Sequence, residues 1–283
     1  MKRVFAAFRD LGQEDFRALA SVEAGLRRRE FVPKEDLLKY LRSDLPDLDY
    51  RLARLDRLSM IQSRGTPYKG YRLLPRAYDF LALNVLVQRE RIESIGDKIA
   101  VGKESEIYEA LGTGGQRFVI KFHRLGMTSF HRAANVRGYI GDRRHISWIY
   151  AARLAAEREY EALTRLAGQV PVPKPIDHNR NAVLMERFDG AELAQSEVAR
   201  PHKLLEAILS SARRSREIGI IHGDLSEYNV LVNEDGFVVI DWPQWVDASH
   251  PQAEALFQRD LSNILKFFEK KYGIRARATK WGA

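Results

Sequence analysis

Apolar residues recur at helical spacing along the first part of the chain. Phe16, Leu19, Val22 and Leu26 line one side of a helix predicted over residues 14–29. Leu37, Leu38 and Leu41 are the expected core residues of a second helix, with Pro33 in its first turn, where a missing N–H costs nothing. Leu52, Leu55 and Leu58 repeat every three residues in a third, over 49–60. The period then changes, and residues 60–64 and 68–73 read as two strands around Gly65-Thr66-Pro67. Three helices followed by a hairpin is the layout of a winged helix-turn-helix. An apolar-faced helix over 77–91 continues from it, so residues 1–92 are expected to form one domain with its linker helix and 93–283 a second.

The second part mixes strands and helices. Val101-Gly102-Lys103-Glu104-Ser105-Glu106-Ile107-Tyr108 sits between two strand-like runs, and Arg117-Phe118-Val119-Ile120-Lys121-Phe122 is an apolar strand carrying a lysine. Residues 154–166 read as a helix buried along Ala155, Ala162, Leu163 and Leu166. Glu159 falls on that stripe, whereas Glu157 and Glu161 are expected in solvent. Residues 182–188 read as a strand, and 230–232 and 237–240 as a hairpin around Asn233-Glu234-Asp235-Gly236.

The chemistry is concentrated in Ile221-His222-Gly223-Asp224-Leu225-Ser226-Glu227-Tyr228-Asn229, with Asp241 at the end of Val238-Val239-Ile240-Asp241. H-x-D-x-x-x-x-N followed by a strand ending in Asp supplies what phosphoryl transfer from Mg·ATP needs. Asp224 is the expected base for the acceptor hydroxyl, and Asn229 and Asp241 the Mg²⁺ ligands. Lys121 is expected to grip the α- and β-phosphates, with Glu159 holding it. From their order along the chain, Met185, Glu186 and Phe188 are the expected hinge that offers backbone groups to adenine. The phosphate loop departs from G-x-G-x-x-G: Gly102 remains, and Lys103 and Ser105 bring polar side chains in its place. There is no D-F-G and no A-P-E, and 42 residues (283 − 241) follow Asp241. Gly223 also replaces the arginine of H-R-D, which argues against control by a phosphorylated activation loop. Asp241 has two open roles, as a metal ligand only or as a nucleophile forming an aspartyl-phosphate.

Taken together these pieces resemble the RIO family of atypical serine protein kinases. Gly102-Lys103-Glu104-Ser105, Ile120-Lys121-Phe122-His123, Ile221 to Asn229 and Ile240-Asp241-Trp242-Pro243-Gln244 carry the resemblance. Gly126-Met127-Thr128-Ser129-Phe130 is similar to a loop of the winged-helix-bearing (type 2) subfamily, in its short archaeal-type form. The resemblance implies an α+β protein: an N-terminal winged helix-turn-helix domain followed by a reduced bilobal protein-kinase-like (RIO) domain, with lobes over 93–187 and 188–283. It implies ATP and Mg²⁺, replaceable by Mn²⁺, and transfer to serine or to water. Its implied partner is ribosomal RNA, or a precursor small ribosomal subunit, in the cytoplasm.

Charge fits a polyanionic partner. The formal net charge is +8 and the isoelectric point about 9.6. Arg51, Arg54 and Arg57 on the third helix, with Arg64 and Lys69 on the hairpin, would make one basic surface for phosphates. The competing reading is a solvated helix face, offset by Asp47, Asp49 and Asp56. Residues 124–144 read as a basic loop, with Ser129 a phosphorylation candidate. The absence of cysteine removes thiolate chemistry and disulfides, and no apolar run is long enough for a signal peptide or a bilayer span. Two rivals remain. A small-molecule phosphotransferase of the aminoglycoside- or choline-kinase kind shares H-G-D and I-D-W, but usually has a larger C-terminal lobe. A winged-helix regulator with an inactive kinase half is disfavoured by the complete set of phosphoryl-transfer groups.

Overall fold

A computed structural model of the chain describes residues 6–41, 47–102, 104–124 and 148–275. Lys103, Thr128, Ser129 and nearly all of the basic stretch 124–144 lie outside the described residues. The chain forms two compact units. One lies within Met1–Gln116, Ile120–Arg153 and His178–Ala182, and the other within Arg117–Val119, Leu154–Asp177 and Val183–Ala283.

In the first unit, α1 (Gln13–Leu26), α2 (Lys34–Leu41) and α3 (Leu48–Arg57) precede the strands β2 (Ile61–Arg64) and β3 (Gly70–Leu73). A short strand β1 (Val32–Pro33) joins them in the order β1-β3-β2, with Val32 opposite Tyr71 and Ser63 opposite the same residue from the other side. This is the winged helix. Its core is Phe16, Leu19, Val22, Leu37, Leu52 and Leu55, on the stripes expected from helical period, together with Ile61 and Tyr71 of the strands, and it extends to Tyr78 and Phe80 of the linker helix α4 (Pro75–Gln88). Asp15 ties α1 to α3. It accepts the Gly12 N–H at 3.0 Å, closing the first turn of α1, and also binds Arg54 at 2.6 Å and Arg51 at 3.3 Å.

Pro33 belongs to β1, and α2 begins after it at Lys34. Pairing of Val32 and Pro33 with β3 takes those two residues into the sheet. Leu38 is 40% exposed and not a core residue, because the buried side of so short a helix is filled by Leu37 and Leu41. The third helix stops at Arg57, and Ser59 takes a left-handed φ of 54° before β2. The linker helix starts two residues early, with Pro75 in its first turn, where proline is best tolerated.

Beyond the linker helix, β4 (Ser94–Val101), β5 (Ser105–Leu111), β6 (Arg117–His123), β7 (Pro175–Asn179) and β8 (Ala182–Glu186) form one sheet in the order β4-β5-β6-β8-β7. The helix α5 (Trp148–Leu166) precedes β7. The second unit is built around α6 (Pro201–Glu217) and α7 (Ala253–Tyr272) with two small sheets. One is β12-β11-β9, formed by Phe237–Val239, Val230–Val232 and Ala191–Glu192; the other pairs β10 (Ile220–Ile221) with β13 (Val246–Asp247). Its core joins Leu163 and Leu166 of α5, Leu205 and Ile208 of α6, and Phe257, Leu261, Ile264 and Phe268 of α7. Glu157 and Glu161 are exposed and Glu159 is buried, as the stripe on this helix predicts.

Candidate active site

The loop that follows β10 is held from both sides. The His222 ring bridges two main-chain groups, with Nδ1 3.2 Å from the Asp224 nitrogen and Nε2 3.0 Å from the Ile240 carbonyl oxygen. An N–H donates and a carbonyl accepts, so Nδ1 carries the lone pair and Nε2 the proton. The same ring lies 4.4 Å from that of Trp242. On the other side, α7 supplies three side chains. Asp260, 1% exposed, accepts the N–H of Gly223 at 2.8 Å and of Leu225 at 3.1 Å. Asn263 donates to the Leu225 carbonyl at 3.1 Å, and Arg259 to the Gly223 carbonyl. Burial pushes the Asp260 carboxyl up, against the opposing pull of the two N–H groups and Arg259. Gly223 has φ 76°, and a Cβ there would stand 3.0 Å from the Gln244 carbonyl oxygen, which is why the arginine of H-R-D has no place in this loop. The backbone is thus fixed on both sides of Asp224, whose side chain stays exposed.

Asn229 closes the same loop. Its Nδ2 donates to the Asp224 carbonyl at 2.8 Å, its N–H to the Ser226 carbonyl at 3.0 Å, and its own carbonyl accepts the Ile240 N–H at 2.9 Å. Its Oδ1 remains an acceptor on the residue bonded to Ile240, the neighbour of Asp241. Asp241 has φ 67°, a conformation that costs a non-glycine residue on the order of 1 kcal/mol or more. It is held by its neighbours. Ile240 is bonded to Asn229 and His222, while the Trp242 N–H donates to Glu159 Oε1 at 3.3 Å and its indole N–H to the Val239 carbonyl at 2.9 Å. Glu159 therefore touches the Asp241 segment directly, a contact that helix period alone does not reveal. Among the described residues no group of three or more His, Cys, Asp or Glu side chains is placed to hold a metal ion. Magnesium keeps several waters, takes one or two protein oxygens and draws the rest from phosphates, so an amide oxygen and one carboxylate are a donor set that fits it.

The expected phosphate-binding residues lie in the first unit. Lys121, on β6, is 5% exposed. Gly102 and Ser105 form the tight turn between β4 and β5, with the Gly102 N–H donating to the Ser105 carbonyl at 2.8 Å. Glu159, its expected partner Lys121 being in the other unit, is likewise buried at 2%. At the expected hinge Met185 is buried, and the N–H groups of Glu186 and Arg187 are taken by the Lys174 and Arg117 carbonyls at 2.9 and 3.1 Å. The Glu186 carboxylate pairs with Lys174 at 3.1 Å on the surface.

The basic surface is thinner than the sequence implies. Arg51 and Arg54 are committed to the buried Asp15. The guanidinium of Arg64 stacks on Phe31 and Tyr68, 4.3 and 4.7 Å from their ring centres. Arg57 and Lys69 are exposed. Residues that sequence reasoning missed are Arg259, Asp260 and Asn263. The available signal was Asp260 itself, a carboxylate in line with Phe257, Leu261 and Ile264 on the apolar stripe of α7.

Residues 106–280 match the RIO domain family, and residues 8–89 match the Rio2 N-terminal family. The chain is 41% identical to the RIO-type serine/threonine-protein kinase Rio2 of Methanocaldococcus jannaschii over 256 residues, covering 88% of this chain and 93% of that protein. It is 39% identical to the serine/threonine-protein kinase rio2 of Schizosaccharomyces pombe over 270 residues, covering 94% and 78%. It is also similar to the crystal structure of the Rio2 kinase-ADP/Mg²⁺-phosphoaspartate complex from Chaetomium thermophilum. The TM-score there is 0.85 at 33% identity, over 97% of this chain and 85% of that one.

Proposed function

The chain belongs to the RIO family and carries its Rio2-type winged helix, and from that premise we propose how its residues transfer the γ-phosphoryl group of ATP. It is an atypical serine/threonine-protein kinase that uses ATP and Mg²⁺. In our reading Lys121 grips the α- and β-phosphates and Glu159 orients it. Both charges are buried, and a buried ammonium and a buried carboxylate each need a counter-charge. Gly102, Lys103 and Ser105 contact the phosphates, and backbone groups of Met185, Glu186 and Phe188 receive adenine. Asn229 and Asp241 would hold Mg²⁺, which would supply charge neutralisation on the phosphates.

Asp224 accepts the proton of the incoming hydroxyl as its oxygen bonds to the γ-phosphorus; the bond to the β–γ bridging oxygen breaks and ADP leaves with that electron pair. The observation that carries this reading is the bracing of the loop. Bonds from His222, Asp260 and Asn263 immobilise residues 223–225 and leave the Asp224 carboxylate exposed for an acceptor.

A second acceptor is favoured by one observation. Asp241 is held with φ 67° by bonds to both its neighbours, and the similar Chaetomium thermophilum kinase is a phosphoaspartate complex. Attack by an Asp241 oxygen on the γ-phosphorus would give an aspartyl-phosphate and ADP, and water would then release phosphate. The winged helix, through Arg57, Arg64 and Lys69, would take the protein to small-subunit ribosomal RNA on a maturing particle in the cytoplasm. Arg51 and Arg54 contribute field more than contact. Incubation with γ-labelled ATP, with and without small ribosomal subunits, tests the reading. Label on serine is the kinase outcome; hydroxylamine-labile label with phosphate release is the ATPase outcome. Neither label nor phosphate overturns both.

A further inference from the structure

We propose that Arg124, clamped by Asp79, is a positioning residue for the phosphate loop, through which the linker helix of the winged helix sets the affinity for nucleotide. The proposal rests on the assignment of residues 102–105 as that loop.

Arg124 follows directly on the strand that carries Lys121. Its backbone N–H donates to the Glu104 carbonyl at 2.5 Å, inside the loop itself. Its side chain reaches Glu106 Oε2 from Nε at 3.2 Å and from Nη2 at 3.0 Å, one residue beyond Ser105. The other oxygen of Glu106 binds Lys98, so both strands of the β4–β5 hairpin are tied at the base of the loop. One residue therefore holds the loop by main chain and by side chain.

Arg124 is held in turn by α4. Its fork takes both oxygens of Asp79, Nη1 to Oδ1 at 2.7 Å and Nη2 to Oδ2 at 2.5 Å. Asp79 is 3% exposed and receives a further bond from Asn181 Nδ2 at 2.9 Å. The Asn181 carbonyl accepts the His123 N–H at 2.8 Å, and the preceding residue, Arg180, grips Glu23 of α1 at 2.9 and 2.6 Å. The linker helix thus reaches the end of β6 directly, and α1 holds the turn between β7 and β8 whose Asn181 bonds to that end. Burial pushes the Asp79 carboxyl up, against Arg124 and Asn181, so the fold carries a buried charge here at a cost. A buried ion pair is a poor stabiliser compared with well-packed apolar residues, whereas a bidentate guanidinium–carboxylate pair fixes direction and distance closely. The arrangement serves geometry better than stability.

The test is Mg·ATP affinity, from a fluorescent ATP analogue, and turnover at saturating ATP in Asp79→Asn and Arg124→Lys. Asp79→Asn should weaken binding about tenfold while kcat stays within about twofold. Arg124→Lys should do the same, because an ammonium cannot reach both carboxylates bidentately. Asp79→Glu, which restores the charge, should recover part of the affinity. Unchanged affinity in a folded Asp79→Asn protein overturns the proposal, and so does a kcat loss as large as the affinity loss. If Asp79→Asn does not fold, Glu106→Gln takes its place with the same expected and overturning results, since it breaks the link beyond an intact Asp79–Arg124 pair. Lys121→Ala measured alongside separates the two levels: loss of binding there with none in Asp79→Asn removes this proposal and keeps the kinase reading.

Discussion

The two loops to which we assign the chemistry are held in different ways. Residues 223–225 are braced within their own unit, by His222 from the same loop and by Arg259, Asp260 and Asn263 from α7. The loop around Gly102 and Ser105 depends on a relay of charges, Lys98 to Glu106 to Arg124 to Asp79, that ends on the linker helix of the winged helix. The first device orients a side chain with main-chain bonds from its own surroundings. In our proposal the second makes the loop at residues 102–105, and with it the affinity for nucleotide, answerable to the linker helix of the N-terminal domain.

The comparison can be broken first at Asp260. Asp260→Ala leaves two buried N–H groups without an acceptor and should cost about 2–5 kcal/mol of stability. In protein that still folds, kcat should fall with Mg·ATP affinity intact; denaturant unfolding and steady-state kinetics check both. Next in size is the pair Arg51→Ala and Arg54→Ala, which strands the buried Asp15 and should cost about 1–3 kcal/mol with no change in turnover at saturating ATP, read by thermal unfolding. Gly223→Ala should cost about 1–2 kcal/mol through its φ of 76° and its approach to Gln244, and should lower kcat, since it displaces the residue next to Asp224.

Much of this was legible in the chain. H-x-D-x-x-x-x-N with its trailing Asp, the winged-helix stripes and the buried position of Glu159 all follow from local spacing, which both sequence and helix geometry share. What stayed hidden depends on partners far apart in sequence. Arg51 and Arg54 read as phosphate contacts because nothing local shows Asp15, 36 and 39 residues away. Asp79 lies in the almost wholly apolar helix Ala77-Tyr78-Asp79-Phe80-Leu81-Ala82-Leu83, a sign that it must have a partner, but Arg124 lies 45 residues on. Asp260 carries the same sign on α7. A charge in line with an apolar stripe announces a buried pair without naming the other member.

The smallest expected effect concerns the basic surface. Arg57→Ala should leave stability within about 0.5 kcal/mol and, where the winged helix binds ribosomal RNA as we propose, reduce the salt dependence of that binding by about one phosphate contact, a slope change of roughly 0.7 to 0.9. An unchanged slope would move the RNA surface away from α3.

The most direct measurement is Mg·ATP affinity and γ-phosphoryl turnover taken together on Asp224→Ala. The account predicts binding within about twofold of the unaltered protein and turnover reduced by roughly 10²-fold or more, because Asp224 serves the acceptor and not the nucleotide. Turnover near that of the unaltered protein would contradict it.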